Sequence, residues 1–256
     1  MPYSQTHLAA ALDLLERSAL AEAHPWLLEG RAKGAFLLGS IGPDARVVGG
    51  ISRDATHYYA IPRQTDAPIE EVFFAQCPSL RRADDLSREN AAFVAGYVAH
   101  LIMDVAWLET VVMPALFIEG ITWEPGHPHW DIYNMLMAYL EVRGSRRLPE
   151  DIPDLLEGTA PSRWIPCLPD EVLAEWARHI AHVIPESGPQ HVIRLLSRSV
   201  SMPYEAFVRT VSDRDRLLEA TTPTVHTGHL EAFWRTTDDR SMAAVLDYLS
   251  TVEASA

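Results

Sequence analysis

Residues 90–117 read NAAFVAGYVAHLIMDVAWLETVVMPALF, a long apolar run in which His100 and Asp104 stand four residues apart. Apolar side chains cover nearly every side of the predicted helix, which is typical of a helix buried in a protein core. Residues four apart lie one above the other on a helix, so the imidazole and the carboxylate can reach one metal ion. Because burying both groups unpaired is costly, the pattern predicts either a histidine–carboxylate hydrogen bond or a metal site.

The overall composition is that of a folded globular protein and argues against some partners. The chain has 256 residues, 48% of them apolar and 22% charged, and a formal net charge of −14. This acidic balance opposes binding to duplex nucleic acid, since no broad basic surface is available for phosphates. The two cysteines, Cys77 and Cys167, are too few for a disulfide framework or a thiolate zinc site.

The start of the chain indicates no export. Residues 1–7 lack the basic and apolar regions of a signal peptide, and no run of about 20 consecutive apolar residues suggests a membrane span. We therefore expect no transmembrane segment and a soluble, cytoplasmic protein. The oligomeric state cannot be predicted from these features.

Three further candidate ligands precede the central helix. His7 falls in the first turn of an amphipathic helix predicted over 5–22, where it can also be a surface or capping residue. Asp44 follows Gly42-Pro43 on a sharp turn, which is also ordinary turn chemistry. His57 lies in an irregular segment over 45–67, and so long a loop inside a compact domain is uncommon unless it has a function.

The rest of the chain is predicted to be helical. Further helices are expected at 26–38, 69–75, 132–143, 170–184, 189–200, 203–219 and 228–250, and no strand-period run stands out. His127 and His129, with Asp131 close by, form a loop that is weak evidence for a second metal site. The paired histidines at 179 and 182 and at 226 and 229 are predicted to be surface or interface residues.

Four motifs in order resemble a known family. They are Thr6-His7, LGSIGPD over 38–44, DATH over 54–57 and GYVAHLIMD over 96–104. Together they make residues 4–118 resemble the zinc-dependent phospholipase C family. The resemblance implies an all-α, multi-helix bundle of the phospholipase C and P1 nuclease type. Residues 1–145 would form the metal-binding core, and residues 146–256 a helical C-terminal extension packed as part of the same domain.

The resemblance also implies a ligand set. Asp44, His57, His100 and Asp104 would hold one metal ion, and Asp104 would bridge to a second ion held by His7. Asp44 also matches a carboxylate with a proposed role as general base. Imidazole and carboxylate ligands suit zinc, in one or two ions, with iron, manganese or cobalt not excluded. Bridged ions can lower the pKa of a bound water.

The chain departs from the family at two places. Secreted members begin, after processing, with a tryptophan whose amino group binds metal, whereas six residues precede His7 here. The family's third metal uses a histidine soon after the helical aspartate, and here no histidine follows Asp104 before His127. Substitutes to consider are Glu109, His127, His129 and Asp131.

The first functional prediction is a metal-dependent hydrolase in which metal-activated water attacks a phosphoester of a small-molecule or lipid-like substrate. One alternative keeps the metal but assigns a biosynthetic reaction, such as cyclisation, cleavage or oxidation of an apolar compound. Another alternative is a non-catalytic helical binding protein, in which His100 and Asp104 form only a buried hydrogen-bonded pair.

Overall fold

A computed structural model describes residues 1–117, 124–222 and 224–252. These residues form helices and contain no strand, which confirms the all-α prediction. The α-helices are α1 Ser4–Leu15, α2 Ser18–Ala23, α3 Gly30–Ile41, α4 Arg46–Gly49, α5 Arg53–His57, α6 Ile69–Gln76, α7 Arg88–Trp107, α8 Pro128–Ser145, α9 Ile152–Glu157, α10 Asp170–Ser187, α11 Gln190–Ser197, α12 Tyr204–Val211, α13 Arg214–Thr221 and α14 Thr227–Leu249. Part of the loop predicted after the central helix, residues 118–123, lies outside the described residues.

Helix α7 is the centre of the core. The Ser87 hydroxyl caps its first turn by accepting a hydrogen bond from the Asn90 amide at 3.2 Å, and every residue from 91 to 107 is buried. Proline usually ends or kinks a helix, but past Trp107 the chain continues as a π-helix over Leu108–Leu116 that contains Pro114. A proline has no amide hydrogen to donate, and the wider π turn accommodates it inside the helix.

The helical segment Arg88–Leu116 is long and apolar enough to cross a membrane by length and composition alone, with a mean hydropathy of 1.6. The whole of that window is buried inside the protein. A buried core helix passes the same test, so the finding does not indicate a membrane segment.

Two glycines allow α3 and α7 to cross in backbone contact. A Cβ atom on Gly39 would overlap the Phe93 carbonyl oxygen, and one on Gly96 would overlap the carbonyl oxygen of Phe36. Since neither glycine carries a side chain, the two helices approach more closely than larger residues would permit. This crossing brings the carbonyl of Ser40 to the His100 ring.

A similar close approach joins α1 to α8. A Cβ atom on Gly144 would lie 2.6 Å from the Gln5 carbonyl oxygen. One helical turn earlier, the buried Glu141 carboxylate accepts hydrogen bonds from the amides of Gln5 and Thr6, at 3.2 and 3.1 Å. A carboxylate is favourable at a helix N-terminus, where unsatisfied amides carry partial positive charge.

Several predicted boundaries were wrong. The helix predicted over 5–22 is two helices, α1 and α2, and the one over 203–219 is α12 and α13. The segment 45–67, expected to be irregular, contains α4 and α5. Helix α8 begins at Pro128, earlier than expected, because proline is well tolerated in the first turn and His127 caps it.

The later helices pack on the same core as the earlier ones. The Trp176 indole of α10 donates a hydrogen bond to the Ile41 carbonyl at 2.8 Å. On α14, Phe233 packs edge-on against Trp107 with ring centroids 5.1 Å apart. Helix α14 therefore packs on α7, which carries His100 and Asp104, and α10 contacts the end of α3 directly before the turn that carries Asp44.

Candidate metal centre

The five predicted ligands lie together around the middle of α7. His7 comes from α1, Asp44 from a 3-10 turn over Gly42–Ala45, His57 from the end of α5, and His100 and Asp104 from α7. Two groups of three have all their ligand atoms within 4.8 Å of one another. One group is His7, His100 and Asp104, the other is Asp44, His57 and His100, and either could hold a metal ion.

The side chains face one another at distances that are too long for good hydrogen bonds. Asp104 lies 3.5 Å from His7, 3.5 Å from His57 and 3.9 Å from His100, measured from carboxylate oxygen to Nε2. The Asp44 carboxylate lies 3.6 Å from His57 Nε2. Two ligands of one tetrahedral zinc ion are about 3.3 Å apart when each bond is about 2.0–2.1 Å. The spacing therefore fits ligands that share an ion.

Three buried atoms at the centre of the cluster have no hydrogen-bond partner among the described residues. They are His7 Nε2, His100 Nε2 and Asp104 Oδ1. Native proteins rarely leave buried polar groups unpaired, so each such atom calls for an explanation. The non-catalytic alternative requires a hydrogen bond between His100 and Asp104, and the two side chains do not form one.

The outer nitrogen of two histidines is fixed by a neighbour. His100 Nδ1 lies 2.8 Å from the Ser40 carbonyl, which can only accept, so the proton is on Nδ1 and Nε2 has the free lone pair. His57 Nδ1 lies 2.9 Å from the Thr56 hydroxyl. Such partners fix the ring orientation and tautomer of metal-binding histidines. Both rings thus present Nε2 to the cluster.

The turn that follows α5 positions His57 and supplies two more groups. Tyr58 has a left-handed backbone, with φ 63°, and its hydroxyl donates to Cys167 Sγ at 3.2 Å. The chain therefore reverses directly after His57. The next residue, Tyr59, donates from its hydroxyl to the Asp104 carboxylate at 3.3 Å.

Arg53 adds a positive charge to the cluster. Its guanidinium donates to the Tyr59 carbonyl at 3.1 Å and to the Tyr59 hydroxyl at 2.7 Å, and it lies over the Tyr59 ring. The same group is 3.5 Å from Asp104. Sequence reasoning missed both Arg53 and Tyr59. Their nearness to His57 in the sequence was the only available signal.

The charges in the cluster keep its carboxylates ionised. Burial by itself raises the pKa of Asp44, but His57 and His100 outweigh this effect and lower it to about 2. Burial likewise raises the pKa of Asp104, and the imidazoles of His7, His100 and His57 bring it below its ordinary value. Burial, assisted by His7, lowers the pKa of His100 to about 3. A neutral imidazole beside ionised carboxylates is the protonation state that metal binding requires.

A cavity of about 450 Å³ opens beside the cluster. Its charged and polar lining includes Asp44, Arg46, Arg53, His57 and Glu141. Helices α10 and α11 contribute most of its apolar lining, through Trp176, Ile180, Val183, Ile184, Val192 and Leu195. Mostly apolar cavities with a few polar groups at one end are typical small-molecule sites. His179, predicted to be a surface or interface residue, also lines this cavity.

The other candidate ligands have different partners. Glu109 pairs with Arg63 and Arg240, each at 2.7 Å. His129 Nδ1 lies 3.2 Å from the Leu116 carbonyl, and Asp131 accepts a hydrogen bond from the Ser201 amide at 3.0 Å. None of these residues, nor His127, belongs to a metal-binding group among the described residues.

No protein-family model, curated protein or solved structure matches the chain. The resemblance to the zinc-dependent phospholipase C family therefore stays a prediction, and functional inference depends on the geometry of the cluster and its cavity.

Proposed function

We propose that the protein is a metal-dependent hydrolase that cleaves a phosphoester with water, of the zinc-dependent phospholipase C-like class. The observation that carries this proposal is the spacing of the three imidazoles and two carboxylates. They face one another at 3.5 to 3.9 Å, with buried lone pairs that have no partner among the described residues. This donor set suits zinc, and iron or manganese would also bind.

The chemistry of the ligands favours a two-ion arrangement in which Asp104 is shared. His100 has a single free lone pair, because its other nitrogen is protonated toward Ser40, so it can bind only one ion. Asp104 has two oxygens, and Oδ1 faces His7 while Oδ2 faces His57 and His100. One ion would then be held by Asp44, His57, His100 and Asp104, and the other by His7 and Asp104.

A divalent ion bound there supplies Lewis acidity and lowers the pKa of a coordinated water. The protein's own groups supply the rest. Asp44 is ionised, 25% exposed and at the edge of the cavity, where it can accept a proton from the attacking water. The Arg53 guanidinium, held in place by Tyr59, faces the same space and can pair with a phosphoryl oxygen.

The lining of the cavity supports this proposal. Asp44 and Arg53 would face the phosphoester, and the apolar residues of α10 and α11 would contact an organic or lipid-like group. The same apolar wall also suits the biosynthetic alternative, in which a metal acts on an apolar compound.

The first experiment measures metal per chain by plasma mass spectrometry for wild type, His100→Ala and Asp104→Ala. The same samples are assayed for hydrolysis of bis(p-nitrophenyl) phosphate. We expect one or two zinc equivalents in wild type, their loss in both variants, and phosphodiester cleavage only by the metal-bound protein. Exposed His182, whose replacement by alanine leaves the cluster intact, serves as a matched control.

Two results would count against the proposal. Stoichiometric iron without phosphodiester cleavage would favour the biosynthetic alternative. A wild-type protein that binds no metal, even after reconstitution, would exclude both metalloenzyme readings and favour a binding protein.

A further inference from the structure

A second, small cavity lies against His7 and shares no lining residue with the substrate cavity. It has a volume of about 20 Å³ and is lined by residues of α1, α3, α7 and α14. His7, His100, Thr237 and Ser241 are among the residues that line it. A space of about 10–15 Å³ or more can hold one water molecule, provided that polar groups surround it.

Helix α14 contributes two polar groups to this cavity. Thr237 and Ser241 are four residues apart on one face, and each is only 3% exposed. Neither hydroxyl oxygen has a hydrogen-bond partner among the described residues. Buried hydroxyls in native proteins are nearly always paired with protein or with ordered water.

The His7 ring lacks the Nδ1 partner that the other two histidines have. His57 and His100 each have a neighbour for Nδ1, the Thr56 hydroxyl and the Ser40 carbonyl respectively. Within the described part of the chain, His7 Nδ1 has no such protein partner, and its Nε2 faces Asp104 at 3.5 Å. Nδ1 lies on the other side of the ring, and His7 lines the small cavity.

We propose that one water molecule bound between Thr237, Ser241 and His7 Nδ1 positions His7 for metal binding. The water accepts a hydrogen bond from the Nδ1–H group and donates hydrogen bonds to the two hydroxyl oxygens, so that the lone pair of Nε2 stays directed at the metal. Thr237 and Ser241 are therefore positioning residues, and α14 contributes to the centre without touching an ion. This inference rests on the metal centre of the proposed function.

The test measures zinc affinity by competition with a chelator of known affinity. The variants are Thr237→Val and Ser241→Ala, alone and combined. Loss of groups that orient a metal-binding histidine typically weakens metal affinity by about 10–100-fold, and we expect this for the double variant. Thr237→Ser, which keeps the hydroxyl, should restore wild-type affinity. Thr236→Val is the matched control, since Thr236 is on the same helix but does not line the cavity.

A double-mutant cycle separates positioning from general loosening of the core. In a His7→Ala background, the double variant should weaken zinc binding no further, because the ring that the water positions is gone. Long-range proton–nitrogen NMR of His7 should show the Nδ1-protonated tautomer in wild type and a mixture of tautomers in the double variant. Thermal unfolding of each metal-free variant verifies that it is folded, and Thr237→Val alone suffices if the double variant is not.

The outcomes distinguish this inference from the proposed function. If wild type binds zinc and the folded variants bind it equally well, the positioning role is refuted while the metal centre stands. An equal loss in the Thr236→Val control would also refute it. If wild type binds no metal, both fail.

Discussion

Replacing Asp104 with asparagine should uncouple the metal from the stability of the fold. Asparagine keeps the size of the side chain and one carbonyl oxygen, but it removes the negative charge that lies 3.5 Å from His7, His57 and Arg53. Because the two carboxylate oxygens face different imidazoles, the substitution weakens both proposed ion sites. We expect Asp104→Asn to be purified with little metal.

The size of the effect follows from binding linkage. A ligand that binds only the folded state, present at about 1,000 times its dissociation constant, stabilises that state by about 4.1 kcal/mol. For a chain of 256 residues, each kcal/mol shifts the melting temperature by about 2–4 °C. One bound ion should therefore raise the melting temperature of wild type by about 8–16 °C, and a second ion should add to this.

Differential scanning calorimetry with and without chelator measures this shift. Each protein is compared with itself, so the intrinsic stability of the variant cancels. Asp54→Asn is the control, since Asp54 is an exposed aspartate on α5 outside the cluster. Wild type and Asp54→Asn should lose the full shift on chelation, and Asp104→Asn almost none. An undiminished chelator effect in Asp104→Asn would refute Asp104 as a ligand.

Three further substitutions test other parts of the structure. Burial raises the pKa of Glu141 to about 6 against an ordinary 4.5, so its stabilising effect is present below pH 4.5 and is lost as the pH rises through 6. Relative to Glu141→Gln, the free energy of unfolding of wild type in urea should therefore fall by about 2 kcal/mol across that range. A difference between the two proteins that stays constant with pH would contradict this. Arg53→Lys removes the planar guanidinium held by Tyr59, so kcat for phosphodiester hydrolysis should fall by about 100-fold at unchanged metal content. An unchanged kcat would exclude a contact between Arg53 and the substrate. Gly96→Ala places a methyl group against the Phe36 carbonyl and should cost at least about 1–3 kcal/mol in urea unfolding, whereas a midpoint equal to that of wild type would contradict the close crossing.

The parts of the structure that could be predicted are those encoded locally. The apolar surface of residues 90–107 predicts a buried helix, and Gly42-Pro43 predicts the turn that presents Asp44. The break between α1 and α2 has no glycine or proline to mark it, so the sequence suggests one continuous helix. Ser40 and Glu141 contribute through contacts with His100 and Thr6, 60 and 135 residues away in the chain. Such contacts depend on how helices cross, which periodicity does not reveal.

The charge balance of the cluster bears on the choice between a metalloenzyme and a binding protein. Asp44 and Asp104 are both ionised, and the Arg53 guanidinium brings one positive charge to within 3.5 Å of Asp104. Asp104 is completely buried, where an incompletely neutralised charge is unfavourable. One divalent ion would match the charge of the two carboxylates, and a second would leave the centre positive, beside a cavity that also presents the Arg53 guanidinium. A centre with two ions would therefore favour an anion. A phosphoester meets that requirement, whereas a neutral apolar compound would leave Arg53 and the ions without a counter-charge.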